Sequence, residues 1–421
     1  MLFMQTTPRS NRLEIALFGR RNAGKSSLIN AVTNQQIALV SDVPGTTTDP
    51  VFKAMEIPPL GPVVLIDTAG LDDEGELGRL RVKRSRQVLN QADLVLLVLE
   101  ADRTLSALER DLLAACRDKK LPVVAALNKI DLLPVSSELK SELKIMGITA
   151  VPVSALTGDG IEDLKIALIR SAPPGWDDRP LVGDLLEPGD IVVLIVPIDQ
   201  AAPKGRLILP QVQTLRDILD HNAVAVVCKD DRIGETIRQQ SRKPKIVITD
   251  SQVFKQVAKE TPPDVLLTSF SILFARQKGD LAGLAAGALA IDSLKPGDKV
   301  LVAEACTHHR VEDDIGRVKL PRLLEKRVGG KLQFSWSSGF SFPEDLPDYK
   351  LVLHCGGCMI NRREMLSRMA QAKAAGVPVV NYGVAIAHLV GILPRALSPF
   401  PEIAGQIFPE YYEERQMKKH G

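Results

Sequence analysis

Aromatic residues make up only 4% of the 421 residues, which leaves few flat surfaces on which nucleic-acid bases could stack. Charge of one sign is not in excess: 53 Lys and Arg stand against 51 Asp and Glu, a formal net charge of +2. That near-balance excludes a global field drawing the protein onto nucleic acid or an anionic membrane. The longest apolar run, "LAGLAAGALAI", is too short to span a bilayer. The N-terminal "MLFMQTTPRS" lacks the apolar segment of a secretion signal. These absences predict a cytoplasmic protein with neither nucleic-acid nor membrane partners. Cysteine is also scarce, with five in the chain. In a reducing compartment five thiols do not form a disulfide framework, so a close pair of them, in "HCGGC" at 354–358, suggests metal or redox chemistry.

The front of the chain carries nucleotide chemistry. "RLEIALFGRRNAGKSSLINAVT" reads as a buried strand, a glycine-bearing loop and a helix. Gly19, Gly24, Lys25 and Ser26 have the P-loop spacing, in which backbone N–H groups and a helix N-terminus wrap phosphates. Gly19, Asn22, Ala23, Gly24, Lys25, Ser26 and Ser27 are the candidate phosphate-loop contacts. Lys25 is expected to reach the β- and γ-phosphates and Ser26 to ligate Mg²⁺. "VVLIDTAG" ends a strand at Asp67, suited to hold Mg²⁺ through water, and at Gly70, whose N–H is placed to sense the γ-phosphate. "PVVAALNKID" delivers Asn128, Lys129 and Asp131; a carboxylate at 131 accepts from the N1–H and exocyclic amine of guanine, which adenine does not offer. Ser154 and Ala155, after a further strand, form the expected backbone clamp on the guanine O6. Each motif follows a parallel strand, where open α/β sheets bind their ligands. GTP and Mg²⁺ are therefore the expected ligands.

On these motifs residues 11–172 resemble the small GTPases of the TrmE–Era–EngA group. The resemblance implies that "VPGTTTDPV" is the first switch, with Thr47 closing on Mg²⁺, and that Lys25, Thr47 and Gly70 serve hydrolysis. Leu71 stands where a Ras-like enzyme places the glutamine that orients the attacking water. Asn22 matches the asparagine by which TrmE-like members hold K⁺ against the phosphates. A slow, K⁺-stimulated GTPase is the expectation.

At 45% apolar content, 421 residues are enough for more than one core, since single cores rarely grow past about 250 residues. Three domains are expected: a GTP-binding domain at 1–172, a linker at 173–184 marked by Pro, Gly and charge, an α/β domain at 185–261, and a further domain at 262–421. "DIVVLIVPI", "AVAVVCKD" and "KIVITD" are short β-branched runs of the second; "DVLLTSF", "DKVLVAEAC", "YKLVLHCGGC" and "VPVVNYG" belong to the third. The fold class is α/β, a P-loop GTPase domain followed by two smaller α/β domains with largely parallel sheets.

Cys306 ends one strand of the third set, and Cys355 and Cys358 follow another at the start of the helix-like "MINRREMLSRMAQAKAAG". If both strands lie in one parallel sheet, the three thiols emerge at the same carboxyl edge. A helix N-terminus there favours thiolates. Gly356 and Gly357 leave the loop bare enough for a bulky ligand. Cys116 and Cys228 read as core or surface thiols. The cysteine set fits a thioredoxin-like dithiol, a Cys3His zinc site using His308, His309 or His354, or an iron–sulfur cluster on three thiolates. Residue chemistry alone does not separate zinc from iron.

The whole pattern, a TrmE-like G domain followed by Cys306-x-His308 and then His354-Cys355-x-x-Cys358, resembles the HydF family of FeFe-hydrogenase maturation GTPases. The resemblance implies a homodimer through the middle region and a 4Fe–4S cluster on Cys306, Cys355 and Cys358. His308 or His354 would be its candidate fourth ligand or support, with Glu304 or water as alternatives. It further implies a scaffold that receives a two-iron precursor from two radical-SAM enzymes and delivers it to apo FeFe-hydrogenase. The competing expectation is a ribosome-assembly or tRNA-modification GTPase with a C-terminal zinc site.

Overall fold

A computed structural model of the chain describes residues 8–33, 50–68, 76–174, 179–197, 207–305, 314–339, 342–343 and 345–413, with residues 76–83 as backbone alone. The chain divides into two compact units, Met1–Asp178 and Arg179–Gly421. The division falls inside the stretch expected as a linker. Its last residues already belong to the second unit: Leu181 and Val182 are buried, and the Val182 and Gly183 amides each donate to Asp217 Oδ2 at 2.8 Å.

The first unit is built on six strands, β1 (Leu13–Phe18), β2 (Val51–Ile57), β3 (Gly61–Asp67), β4 (Leu94–Glu100), β5 (Val123–Asn128) and β6 (Thr149–Pro152). They lie in the order β2-β3-β1-β4-β5-β6, with β2 antiparallel to β3 and every other pairing parallel. Strands buried on both faces need apolar side chains in both directions. Accordingly Leu94, Leu96 and Val98 of β4 enter one core while Val95, Leu97 and Leu99 enter the other. The loops after β1, β3, β5 and β6 all leave from the carboxyl edge, where the expected nucleotide residues lie.

The second unit has two four-stranded sheets. The first contains β7 (Ile191–Ile195), β8 (Val224–Cys228), β9 (Ile246–Thr249) and β10 (Leu266–Ser269), in the order β10-β9-β7-β8. The second contains β11 (Lys299–Glu304), β12 (Gln333–Ser338), β13 (Leu351–His354) and β14 (Val379–Asn381), in the order β12-β11-β13-β14. All pairings in both are parallel. One expectation is corrected by this packing. β10, the "DVLLTSF" strand assigned to the third domain, pairs with β9 in the earlier sheet, because its apolar run completes that sheet's edge. The two sheets share one continuous hydrophobic core, which holds Val193 and Ile248 of the first together with Val302 and Leu353 of the second.

Candidate functional site

The phosphate loop runs from Gly19 to the helix Lys25–Thr33. Its curvature needs left-handed backbone at Asn22 (φ 62°) and Gly24 (φ 91°). Gly24 also meets a space limit, since a Cβ there would fall 2.2 Å from Asn128 Nδ2. Lys25 is buried, and its ammonium donates to the carbonyls of Gly19 and Arg20 at 2.9 Å each, which holds the charge over the loop. Ser26, in the first turn of the helix with Ser27, donates to Asp67 Oδ2 at 2.9 Å. The two groups expected to serve Mg²⁺ therefore touch. Burial pushes the Asp67 carboxyl above its usual range, opposed by the Ser26 hydroxyl and by the Lys25 and Lys53 ammonium groups. A divalent cation between Ser26 and Asp67 would stabilise the charged form.

The base-reading residues are tied to the same loop. Asn128 ends β5, donates to Ala23 O at 2.9 Å and accepts from the Ala155 amide at 3.0 Å, so one side chain joins the phosphate loop to the clamp loop. Asp131 is exposed and accepts from Ser154 Oγ at 2.6 Å, which ties the carboxylate to the loop after β6. Lys129 has φ 70° and pairs with Glu100 at 2.5 Å. Thus Gly19, Asn22, Ala23, Gly24, Lys25, Ser26, Ser27, Asp67, Asn128, Lys129, Asp131, Ser154 and Ala155 all lie along one sheet edge. Thr47, Gly70 and Leu71 lie outside the described residues.

In the second unit β11 and β13 are adjacent and parallel, with Ala303 opposite His354. Cys355 begins the loop after β13; its amide donates to Ala303 O at 2.9 Å and its sulfur accepts from the Ala305 amide at 3.1 Å. The residue before Cys306 therefore contacts the sulfur of Cys355. Cys306, His308 and His309 themselves lie outside the described residues, and among the described residues no three His, Cys, Asp or Glu side chains group closely enough to hold a metal ion. The donor chemistry nonetheless fits an iron–sulfur group: two soft thiol ligands flank a loop in which a Cβ at Gly356 would meet nothing within 4 Å.

Two details bear on the sequence-based expectations. The helix starts at Arg362, capped by Asn361, whose side chain accepts from the Glu364 amide. Cys355 and Cys358 thus lie in a loop that runs on to Asn361, with the helix beginning at Arg362 and not at Met359. His354 is fully buried, with Nδ1 2.7 Å from Cys355 O and Nε2 3.3 Å from the Arg368 guanidinium. Arginine only donates, so Nε2 accepts and Nδ1 carries the proton. Burial first and Arg368 second push the imidazole down to about 3, keeping it neutral. Both ring nitrogens are used in fixing the loop, which makes His354 a support of Cys355 in this arrangement. Glu304 is likewise engaged, accepting from Tyr382 OH at 3.5 Å and lying 3.6 Å from Arg317.

Some neighbours of both loops escaped the sequence reading. Arg20 donates to Thr104 O at 3.1 Å and to buried Glu109 at 3.0 Å, tethering the phosphate loop to the helix Ala107–Asp118. The Ser106-x-x-Glu109 capping box was a readable signal; its partner across the fold was not. Lys278 is buried beneath the cysteine loop, and burial pushes its ammonium down to about 8 against the opposing pull of Cys358 and Cys355. Of the remaining thiols, Cys116 is fully buried, its thiol pushed up to about 12 by burial, and Cys228 is half-buried in β8. Cys116 is accordingly expected to resist iodoacetamide at pH 8 in the native protein and to label on unfolding, as read by mass spectrometry; rapid native labelling would contradict its placement in the core.

A mainly parallel sheet with a phosphate loop after its first strand and a guanine-type carboxylate after its fifth defines the first unit as a P-loop GTPase domain, and the family model for the 50S ribosome-binding GTPase matches residues 14–129. The models for the hydrogen maturase F dimerization domain and tetramerization domain match residues 181–279 and 282–399. These two span more than half of the chain, which belongs to the HydF family. Among curated proteins, the tRNA modification GTPase MnmE of Nitrosomonas europaea is 37% identical over 165 residues, covering 39% of this chain and 35% of its own. MnmE of Desulfotalea psychrophila is 35% identical over 175 residues, covering 40% and 37%. The chain spans about a third of the length of these relatives. Among solved structures, Era in complex with MgGDPNP and a segment of 16S ribosomal RNA is 21% identical, with a TM-score of 0.35 over 51% of this chain and 92% of that one. The G domain of the T. maritima FeoB iron transporter is 29% identical, with a TM-score of 0.29 over 38% and 98%. Among the described residues no helix is long and apolar enough to cross a membrane.

Proposed function

We propose that the protein is a GTPase of FeFe-hydrogenase maturation that carries a 4Fe–4S cluster, receives a two-iron precursor from two radical-SAM enzymes and delivers it to apo-hydrogenase. The observation that carries the reading is the joining, in one chain, of a phosphate and guanine edge with a cysteine loop that follows β13 beside the end of β11. In the first unit Lys25 offsets phosphate charge, Ser26 and Asp67 hold Mg²⁺, and Asp131 selects guanine. Asn22, held left-handed at the mouth of the loop, is the candidate K⁺ contact. In the second unit Cys355, Cys358 and Cys306 would hold the cluster, which supplies an exchangeable iron site when bound. His354 and Arg368 fix the loop's entry. The dimerization and tetramerization models support self-association, with a homodimer as the working unit. A cytoplasmic setting suits reduced thiols.

The similarity to MnmE covers only 39% of this chain and leaves the second unit's two family matches without a role, so tRNA modification is the weaker reading. Nucleotide choice tests the first half of the proposal. The protein should turn over GTP and not ATP, Asp131→Asn should move preference toward xanthine nucleotides, and turnover should rise when K⁺ replaces Na⁺. Equal use of ATP and GTP would overturn the guanine reading, and indifference to the cation would remove K⁺.

A further inference from the structure

Lys278 ends the helix Phe270–Lys278, on the far side of a glycine from the next helix, yet its side chain is 3% exposed. Its ammonium donates to the carbonyls of Gly357 at 3.3 Å, Cys358 at 3.4 Å and Ile360 at 3.1 Å, and lies 5.4 Å from the centre of the Phe274 ring. Three neutral carbonyls satisfy its donors but do not cancel its charge, and no carboxylate pairs with it among the described residues. A buried cation without a counter-ion is costly, and a nearby anion lowers that cost. The groups within electrostatic reach are the thiols of Cys358 and Cys355. The contact is also reciprocal: Arg362, the first residue of the helix beyond the cysteine loop, donates to Gln277 O and Gly279 O at 2.8 Å each, the carbonyls on either side of Lys278.

We propose that Lys278 is the positioning residue of the Cys355–Cys358 loop, its buried ammonium holding the loop's backbone and presenting a positive charge to whatever anionic group the two thiols bind. Lys278 lies in the part matched by the dimerization model and the loop in the part matched by the tetramerization model, so the contact joins the two. The charge role rests on the iron–sulfur reading above; the loop-holding role does not.

The test uses the full chain with Lys278→Met, which keeps the length and removes charge and donors, and Lys278→Arg, which keeps both. Without iron, amide hydrogen exchange of residues 355–361 should speed up about tenfold in Lys278→Met and stay near the parent rate in Lys278→Arg. After anaerobic reconstitution, the reduced-to-oxidised ratio of the cluster at a fixed potential should fall about tenfold in Lys278→Met, about 59 mV for a one-electron couple, and be retained in Lys278→Arg. Unchanged exchange in Lys278→Met overturns the proposal, as does an unchanged ratio in a loaded, folded variant. Should Lys278→Met fail to fold, Lys278→Arg decides alone: retained protection and ratio support the role, and loss of loop protection in a folded chain overturns it. If the parent protein binds no iron, the cluster reading fails while the exchange measurement still judges Lys278.

Discussion

Serine in place of Cys355, Cys358 or Cys306 is expected to take the anaerobically reconstituted protein from about four iron atoms per chain to less than one, while Cys116→Ser and Cys228→Ser leave the iron unchanged. The contrast follows from where the thiols lie. Cys355 accepts from the amide of Ala305, the residue before Cys306 in the sequence, and Cys358 follows it across the same glycine loop. Cys116 is sealed in the core of the first unit and Cys228 belongs to β8 of the other sheet. A serine hydroxyl is a poor ligand for iron at neutral pH, so one lost thiolate removes the group rather than merely weakening it. Full retention of iron in Cys306→Ser would mean that the Cys355–Cys358 pair works with other ligands.

Lys25→Ala should lower GTP turnover by about 100-fold or more, since it removes a buried ammonium held over the phosphate loop. The same variant should keep its full iron content. The phosphate loop belongs to the unit Met1–Asp178 and the cysteine loop to Arg179–Gly421, each with its own hydrophobic core. In cells that also make the two precursor-building enzymes, Lys25→Ala should fail to activate apo-hydrogenase if, as the proposed function has it, switching between nucleotide states times docking and release. Activation at the parent level would refute that timing role. Loss of iron in Lys25→Ala would show that the two sites depend on each other to form.

The nucleotide edge was legible because its chemistry is local. A strand, a glycine turn and a helix start within a few residues of one another dictate where Lys25 and Ser26 go, and Asn128 to Asp131 and Ser154 are read the same way. That the strands before Cys306 and Cys355 share one parallel sheet was only a condition of the sequence reading, which the pairing of β11 with β13 meets. What stayed hidden is set by long-range packing. Lys278 reaches carbonyls 79 to 82 residues away and Arg20 reaches Glu109 at a separation of 89, and no spacing rule links such positions. β10 carries the same apolar signature whichever sheet it joins, and only the open edge of β9 decides. The helix after the cysteines looked continuous from Met359, but the Asn361 cap moves its start to Arg362, a local bond worth about 1 kcal/mol. His354 was read as a candidate fourth ligand or support, and the long-range partner that occupies its Nε2, Arg368, had no signal in the sequence.

The metal content of the anaerobically purified, full-length protein tests the central claim, that one chain joins a GTPase to an iron–sulfur carrier. The account predicts brown protein with about four iron atoms per chain and a matching amount of acid-labile sulfide, whose iron is lost in Cys355→Ser. Colourless protein holding about one tightly bound zinc on the same cysteines would contradict it.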